Sequence, residues 1–132
     1  MAKSEDLARR AVACKHWRWA PGMRSKSAAG GAVRWLTGVS ERGYGLVAHT
    51  REYMHGPCKV AGLLPGPNDL PDLADVATLG CLLGLVRTAH RDAYMAAGND
   101  GPVWVVRDCD GYEVCRGTSE RAVLVAALEA AP

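Results

Sequence analysis

The residues with the most chemistry to offer lie in a basic, tryptophan-bearing segment. Trp17, Trp19 and Trp35 carry flat π faces on which a base can stack. Arg18, Arg24 and Arg34 carry guanidiniums that grip phosphate oxygens two at a time. Together these are the groups that a small anionic nucleotide or a single nucleic-acid strand requires. The same residue types also make hot spots in protein interfaces, and they equally plug one end of a core while the arginines stay solvated. In His16-Trp17-Arg18-Trp19, alternation puts both tryptophans on one side of an extended segment, but it does not say which side is open.

Other chemistries find little footing. His49, His55 and Cys58 are close in sequence, but their spacing matches no standard zinc pattern, so no metal is expected. Cys14 sits two residues from His16 without a serine elbow or an orienting carboxylate, and it reads as a core thiol. Gly30-Gly31 lacks both the Lys-Ser/Thr of a phosphate loop and the three-glycine dinucleotide pattern, so no cofactor is expected. The carboxylate pairs Asp72/Asp75 and Asp108/Asp110 fall where helix caps and turns favour Asp. The sequence supports binding and offers no catalytic set.

The elements that must carry these residues follow from periodicity. Ser4-Glu5-Asp6 opens a helix running to about Lys15, with Leu7, Ala8, Ala11 and Val12 as its apolar stripe. Pro21-Gly22 is a turn and residues 25–31 read as a loop. Strands are expected at 32–39, 44–49 and about 59–63, followed by a loop over 65–69. Asp72 or Asp75 then caps a broadly apolar helix through Val76, Leu79, Leu83 and Val86, expected to be the central core helix and to fade by Gly98-Asn99. On it Gly80 and Gly84 lie one turn apart, which suits tight packing on a sheet or a helix-to-helix dimer seam. Residues 103–107 and 112–116 form a hairpin about Asp110-Gly111, and Ser119 caps a last helix. The expected fold is a single α+β domain spanning residues 1–132, an α-β-β-β-α-β-β-α sandwich in which an antiparallel or mixed sheet carries about three helices.

Composition bounds the setting. A chain of 132 residues and 14.0 kDa buries enough surface for a core without a metal or disulfide staple. Its five cysteines are odd in number and scattered, which fits reduced thiols in a cytoplasm. The first fifteen residues are too charged for a secretory signal, and no apolar run reaches the ~20 residues of a membrane helix, so no membrane partner is expected. The net charge of +2 hides an asymmetry. Residues 1–60 hold 11 Lys/Arg against 4 Asp/Glu, and residues 61–132 hold 5 against 10. The basic half attracts phosphate or an acidic protein surface, or pairs with the acidic half of its own fold.

Two stretches carry a resemblance. Residues 7–24, Leu-Ala-Arg-Arg-Ala-Val-Ala-Cys-Lys-His-Trp-Arg-Trp-Ala-Pro-Gly-Met-Arg, are similar to the opening of small proteins encoded by tailed bacteriophages and prophages. Residues 70–87, Leu-Pro-Asp-Leu-Ala-Asp-Val-Ala-Thr-Leu-Gly-Cys-Leu-Leu-Gly-Leu-Val-Arg, resemble a second signature of that group, with Val76 standing where Pro is expected. The ending Ala126 to Pro132 also looks like theirs. The resemblance covers roughly a third of the chain and implies a phage origin and the host cytoplasm, without implying an activity. Joined to the Trp/Arg segment, it sets the expectation of a counter-defence protein that sequesters a host nucleotide immune signal without turning it over. A protein-binding inhibitor of a host defence complex and a self-associating phage assembly accessory are the alternatives.

Overall fold

The computed structural model describes residues 2–27, 33–39, 46–50, 60–64 and 69–132; over 33–39, 46–50 and 60–64 it describes the backbone, together with the side chain of Leu36. The fold is α+β, with three helices and eight strands among the described residues and antiparallel pairing throughout. The chain divides into two compact units, Met1–Arg18 with Leu79–Pro132, and Trp19–Thr78.

The Trp19–Thr78 unit is built on a sheet. Its strands are β1 (Arg24–Ser27), β2 (Val33–Val39), β3 (Leu46–Thr50), β4 (Val60–Leu64) and β5 (Asp69–Pro71), in the order β4-β3-β2-β1-β5. The Pro21-Gly22 turn closes through Met23 N–H donating to Ala20 O at 3.2 Å, which launches β1 where a loop was expected. A four-residue strand of sequence Arg-Ser-Lys-Ser has no apolar alternation to reveal it; its register against β2 and β5 is what defines it. β5 was equally hidden, because a three-residue strand ending in Pro is legible only as a sheet edge, where a missing N–H costs nothing. Met23, Leu36, Leu70 and Leu73 are buried in this unit. The loop expected over 65–69 lies outside the described residues except for Asp69, which belongs to β5.

Between the expected caps, Asp75 is the one used. Its Oδ2 accepts from the N–H and from the hydroxyl of Thr78, both at 2.9 Å, at the start of α2 (Val76–His90). Thr78 is fully buried, and its Oγ1 also accepts from the Arg24 N–H at 2.8 Å. One hydroxyl thereby ties the first turn of α2 to the start of β1.

In the other unit, α3 (Glu120–Ala130) is the central helix, a place expected for α2. Its Val123, Leu124, Val125, Ala127 and Leu128 are all fully buried, so it is apolar on nearly every side. It lies on a three-stranded sheet of β6 (Ala96–Asp100), β7 (Val103–Arg107) and β8 (Glu113–Gly117), and against α1 (Ala2–Ala13). Ser119 caps α3 as expected, accepting from Ala122 N at 3.2 Å. Arg10 of α1 forms an ion pair with Glu129 of α3, and that hydrogen bond raises the guanidinium pKa. α2 contributes Leu82 and Val86 to the core, while Gly80 and Gly84 are exposed with no described atom within 4 Å of where a Cβ would sit. The tight-packing expectation for these glycines is therefore corrected, because no described backbone approaches them.

The helix also stops earlier than expected. It ends at His90, and the chain re-enters as β6, paired residue for residue with β7 from Ala96↔Arg107 to Asp100↔Val103. The two-residue turn between them is Gly101-Pro102, with Gly101 at φ +64, a conformation other residues resist. The second hairpin is the expected one. Gly111 (φ +84) closes it, with Gly111 N donating to Asp108 O at 3.0 Å. No helix among the described residues is long and apolar enough to cross a membrane.

Candidate functional site

The six residues singled out for their chemistry fall in both units. Trp17 is buried at 6% exposure in the core of its unit, so its ring faces are spent on packing. The cause is local. Trp17 N–H donates to Cys14 O at 3.0 Å, closing a turn after α1, so the alternation of residues 16–19 is not that of a strand. Arg18 is exposed in the same unit. Trp19 is half-buried in the other. Arg24 Nε lies 2.9 Å from Asp72 Oδ2, an ion pair that engages its charge within its own unit. Arg34 and Trp35 sit on β2 opposite Ser25 and Arg24, and their side chains lie outside the described residues. Of the four whose side chains are described, only Arg18 lines a concavity.

That concavity is a hollow of about 590 Å³ whose described walls all belong to the Met1–Arg18/Leu79–Pro132 unit. Its walls are His16, Arg18, Leu85, Thr88, Ala89, His90, Arg91 and Pro132. The volume is in the range of small-molecule sites. Three helix C-termini deliver these residues: His16 and Arg18 follow the end of α1, Thr88 to Arg91 are the end of α2, and Pro132 follows the end of α3.

Each side chain is held by identifiable bonds. Arg18 Nη1 donates to Lys15 O at 3.1 Å and to Trp17 O at 2.6 Å. This fixes one side of the guanidinium and leaves the Nε/Nη2 edge for bidentate contact. His90 Nε2 lies 2.7 Å from Ala127 O, and because a carbonyl only accepts, Nε2 carries the proton and Nδ1 is the acceptor of the neutral ring. His16 Nε2 is occluded from solvent, with no hydrogen-bond partner among the described residues. Thr88 Oγ1 donates back to Gly84 O at 3.0 Å.

Arg91 is the most informative of the set. Asp92 N–H donates to Arg87 O at 2.9 Å and Arg91 N–H to Thr88 O at 3.2 Å, the double bond pattern of a Schellman ending. That ending requires a left-handed residue, normally Gly, and here it is Arg91 at φ 54. A left-handed non-glycine costs about 1–2 kcal/mol. The loop beyond is anchored by Asp92, whose carboxylate accepts from Cys109 N at 2.8 Å and Tyr94 N at 3.0 Å. These bonds, the one from Cys109 foremost, hold the Asp92 carboxyl below its ordinary value.

The charge balance decides what the hollow can hold. Each helix C-terminus acts as roughly −0.5 of a charge, so three of them oppose the two full positive charges of Arg18 and Arg91. Neither arginine forms an ion pair among the described residues, and no described Asp or Glu lines the walls. The arrangement offers an anionic group two guanidiniums that hold no described ion pair.

Reactive groups lie elsewhere or are engaged. Cys14 Sγ donates to Leu128 O at 3.6 Å and Cys115 Sγ to Val123 O at 3.3 Å. Burial pushes the Cys115 thiol up, and for Cys109 desolvation and then the charge of Asp110 do the same, which works against a thiolate nucleophile. Asp72 and Asp75 serve an ion pair and a cap, and Asp108 Oδ1 accepts from Asp110 N and Tyr112 N. Among the described residues no cluster of three or more His, Cys, Asp or Glu could hold a metal. His55 and Cys58 lie outside the described residues, as does the side chain of His49.

Sequence reasoning missed His16, Thr88, His90 and Arg91. The available signal was the basic residue in the last turn of α2, but such residues are ordinary partners of a helix dipole. Only the fold shows that three such ends share one hollow. No protein-family model, curated protein or solved structure matches the chain.

Proposed function

We propose that this protein binds a small phosphate-bearing nucleotide in the hollow of the Met1–Arg18/Leu79–Pro132 unit and holds it without chemistry. The observation that carries the reading is a pair of guanidiniums, Arg18 and Arg91, on a hollow of about 590 Å³ with no Asp or Glu side chain among its described walls. Leu85, Ala89 and Pro132 supply apolar wall against which a sugar or base packs. In the phage setting that the resemblance implies, such a protein sequesters a nucleotide immune signal in the host cytoplasm. Retention without turnover is the useful property there, and the engagement of the thiols and carboxylates described above accords with it.

A second reading has one observation in its favour. Tyr94 and Tyr112 are 82% and 72% exposed, which suits a surface that docks a host defence protein. The two readings separate by chemical-shift mapping. A nucleotide in the hollow perturbs the amides of His16, Arg18 and Thr88 to Arg91, whereas a protein docking on the tyrosines perturbs those around 92–95 and 108–112. Nucleotide-induced shifts scattered over the surface, or none at all, would reject the hollow as the site.

A further inference from the structure

The walls of the hollow accept hydrogen bonds as well as donate them. At the end of α2, the carbonyls of Arg87 and Thr88 are taken by the Schellman ending, but no described N–H donates to the carbonyls of Ala89 or His90. Both residues line the hollow. A helix leaves its last carbonyls without intrahelical partners, and they hold a partial negative charge. To these acceptors the structure adds His90 Nδ1, left as an acceptor once Nε2 is bonded to Ala127 O. His16 Nε2 is a further buried nitrogen without a partner.

A bare anion satisfies only half of this surface. Phosphate placed between Arg18 and Arg91 gains charge-assisted bonds but turns oxygens, not donors, toward the carbonyls. A ligand that fits the whole lining is anionic at one end and carries N–H donors at the other. We infer that the hollow selects nucleotides whose base bears an exocyclic amine, with the phosphate on the Nε/Nη2 edge of Arg18 and on Arg91 and the amine on the open carbonyls of Ala89 and His90. The inference rests on the nucleotide reading above and specifies its ligand class. A site that bonds a ligand N–H disfavours the analogue lacking it, because its acceptors then exchange that bond for water or for none. Discrimination should be at least about tenfold, since the hollow is partly open to water.

The test compares 5′-AMP with purine riboside 5′-monophosphate, which differ only in the 6-amino group, by isothermal titration against the full chain, with inorganic phosphate as a third probe. The expected result is AMP binding tighter than its deaminated analogue by tenfold or more, with Arg91→Ala weakening both by a similar factor. Equal affinity for the two nucleotides, still dependent on Arg91, would overturn the amine selection and leave the anion site standing. Failure of both nucleotides and of phosphate to bind would overturn the selection together with the nucleotide reading.

Discussion

Replacing Arg91 by glycine should make the protein more stable and less able to bind. The left-handed backbone at Arg91 (φ 54) costs a side-chain-bearing residue about 1–2 kcal/mol. Glycine removes that cost but loses about 0.5–1 kcal/mol through its greater freedom in the unfolded chain. The difference is a gain of about 0–1.5 kcal/mol, which at this chain length raises Tm by up to roughly 5 °C. The same change deletes a cation from the hollow. Charge-assisted hydrogen bonds contribute about 1.5–3 kcal/mol, so nucleotide affinity should fall by roughly 10- to 150-fold. Arg91→Ala separates the two effects, since it keeps the strained backbone and loses the charge. It should bind as weakly as Arg91→Gly without the gain in Tm. Thermal unfolding of the ligand-free variants by circular dichroism, paired with calorimetric titration, reads both quantities. A lower Tm for Arg91→Gly than for the parent would refute the strain argument, and unchanged affinity in both variants would refute the role given to the guanidinium.

Three further outcomes follow from the fold. Val76 is the first residue of α2, 83% exposed, and follows the Asp75 cap, so Val76→Pro should stabilise by about 0.4–1 kcal/mol in denaturant melts; destabilisation would mean its N–H has a partner. Gly80→Ala and Gly84→Ala meet open space on an exposed helix face and should each add about 0.5–1 kcal/mol, whereas loss of stability that depends on protein concentration would reveal a self-association seam there. The carboxyls of Asp92, held chiefly by Cys109 N–H, and Glu113, held chiefly by Arg116, lie below their ordinary values in the folded chain. A depressed carboxyl stabilises the fold above its unfolded pKa, and that contribution is lost as pH falls through the folded value. Tm should therefore drop on acidification below the ordinary carboxylate range, less steeply for Asp92→Asn, and identical slopes would remove Asp92 from the account.

Local chemistry was legible wherever a residue has one dominant reason to be where it is. Asp110-Gly111 marked the hairpin, Ser119 and Asp75 marked helix starts, and alternation marked β2. Elements defined only by their neighbours were not legible. β1 and β5 are short and become strands through pairing, and β6 was read as a fading helix although Gly101-Pro102 carries a hairpin signal. The site followed the same division. Arg18 was singled out as a phosphate donor and does line the hollow, but Trp17 was spent on the core and Arg24 on Asp72. His16, His90 and Arg91 come from segments some seventy residues apart in sequence, and no local pattern reports that helix ends converge.

Whether Arg18 and Arg91 grip a nucleotide in one hollow is read by thermal unfolding against a panel of cyclic di- and trinucleotides, NAD-derived nucleotides and AMP. A ligand at about 100 times its dissociation constant adds ~2.7 kcal/mol, a shift of several degrees at this size. Such a shift is expected for at least one nucleotide in the parent and is lost in the Arg18→Ala/Arg91→Ala double variant. No shift across the panel, or one that persists undiminished in the double variant, would contradict that grip.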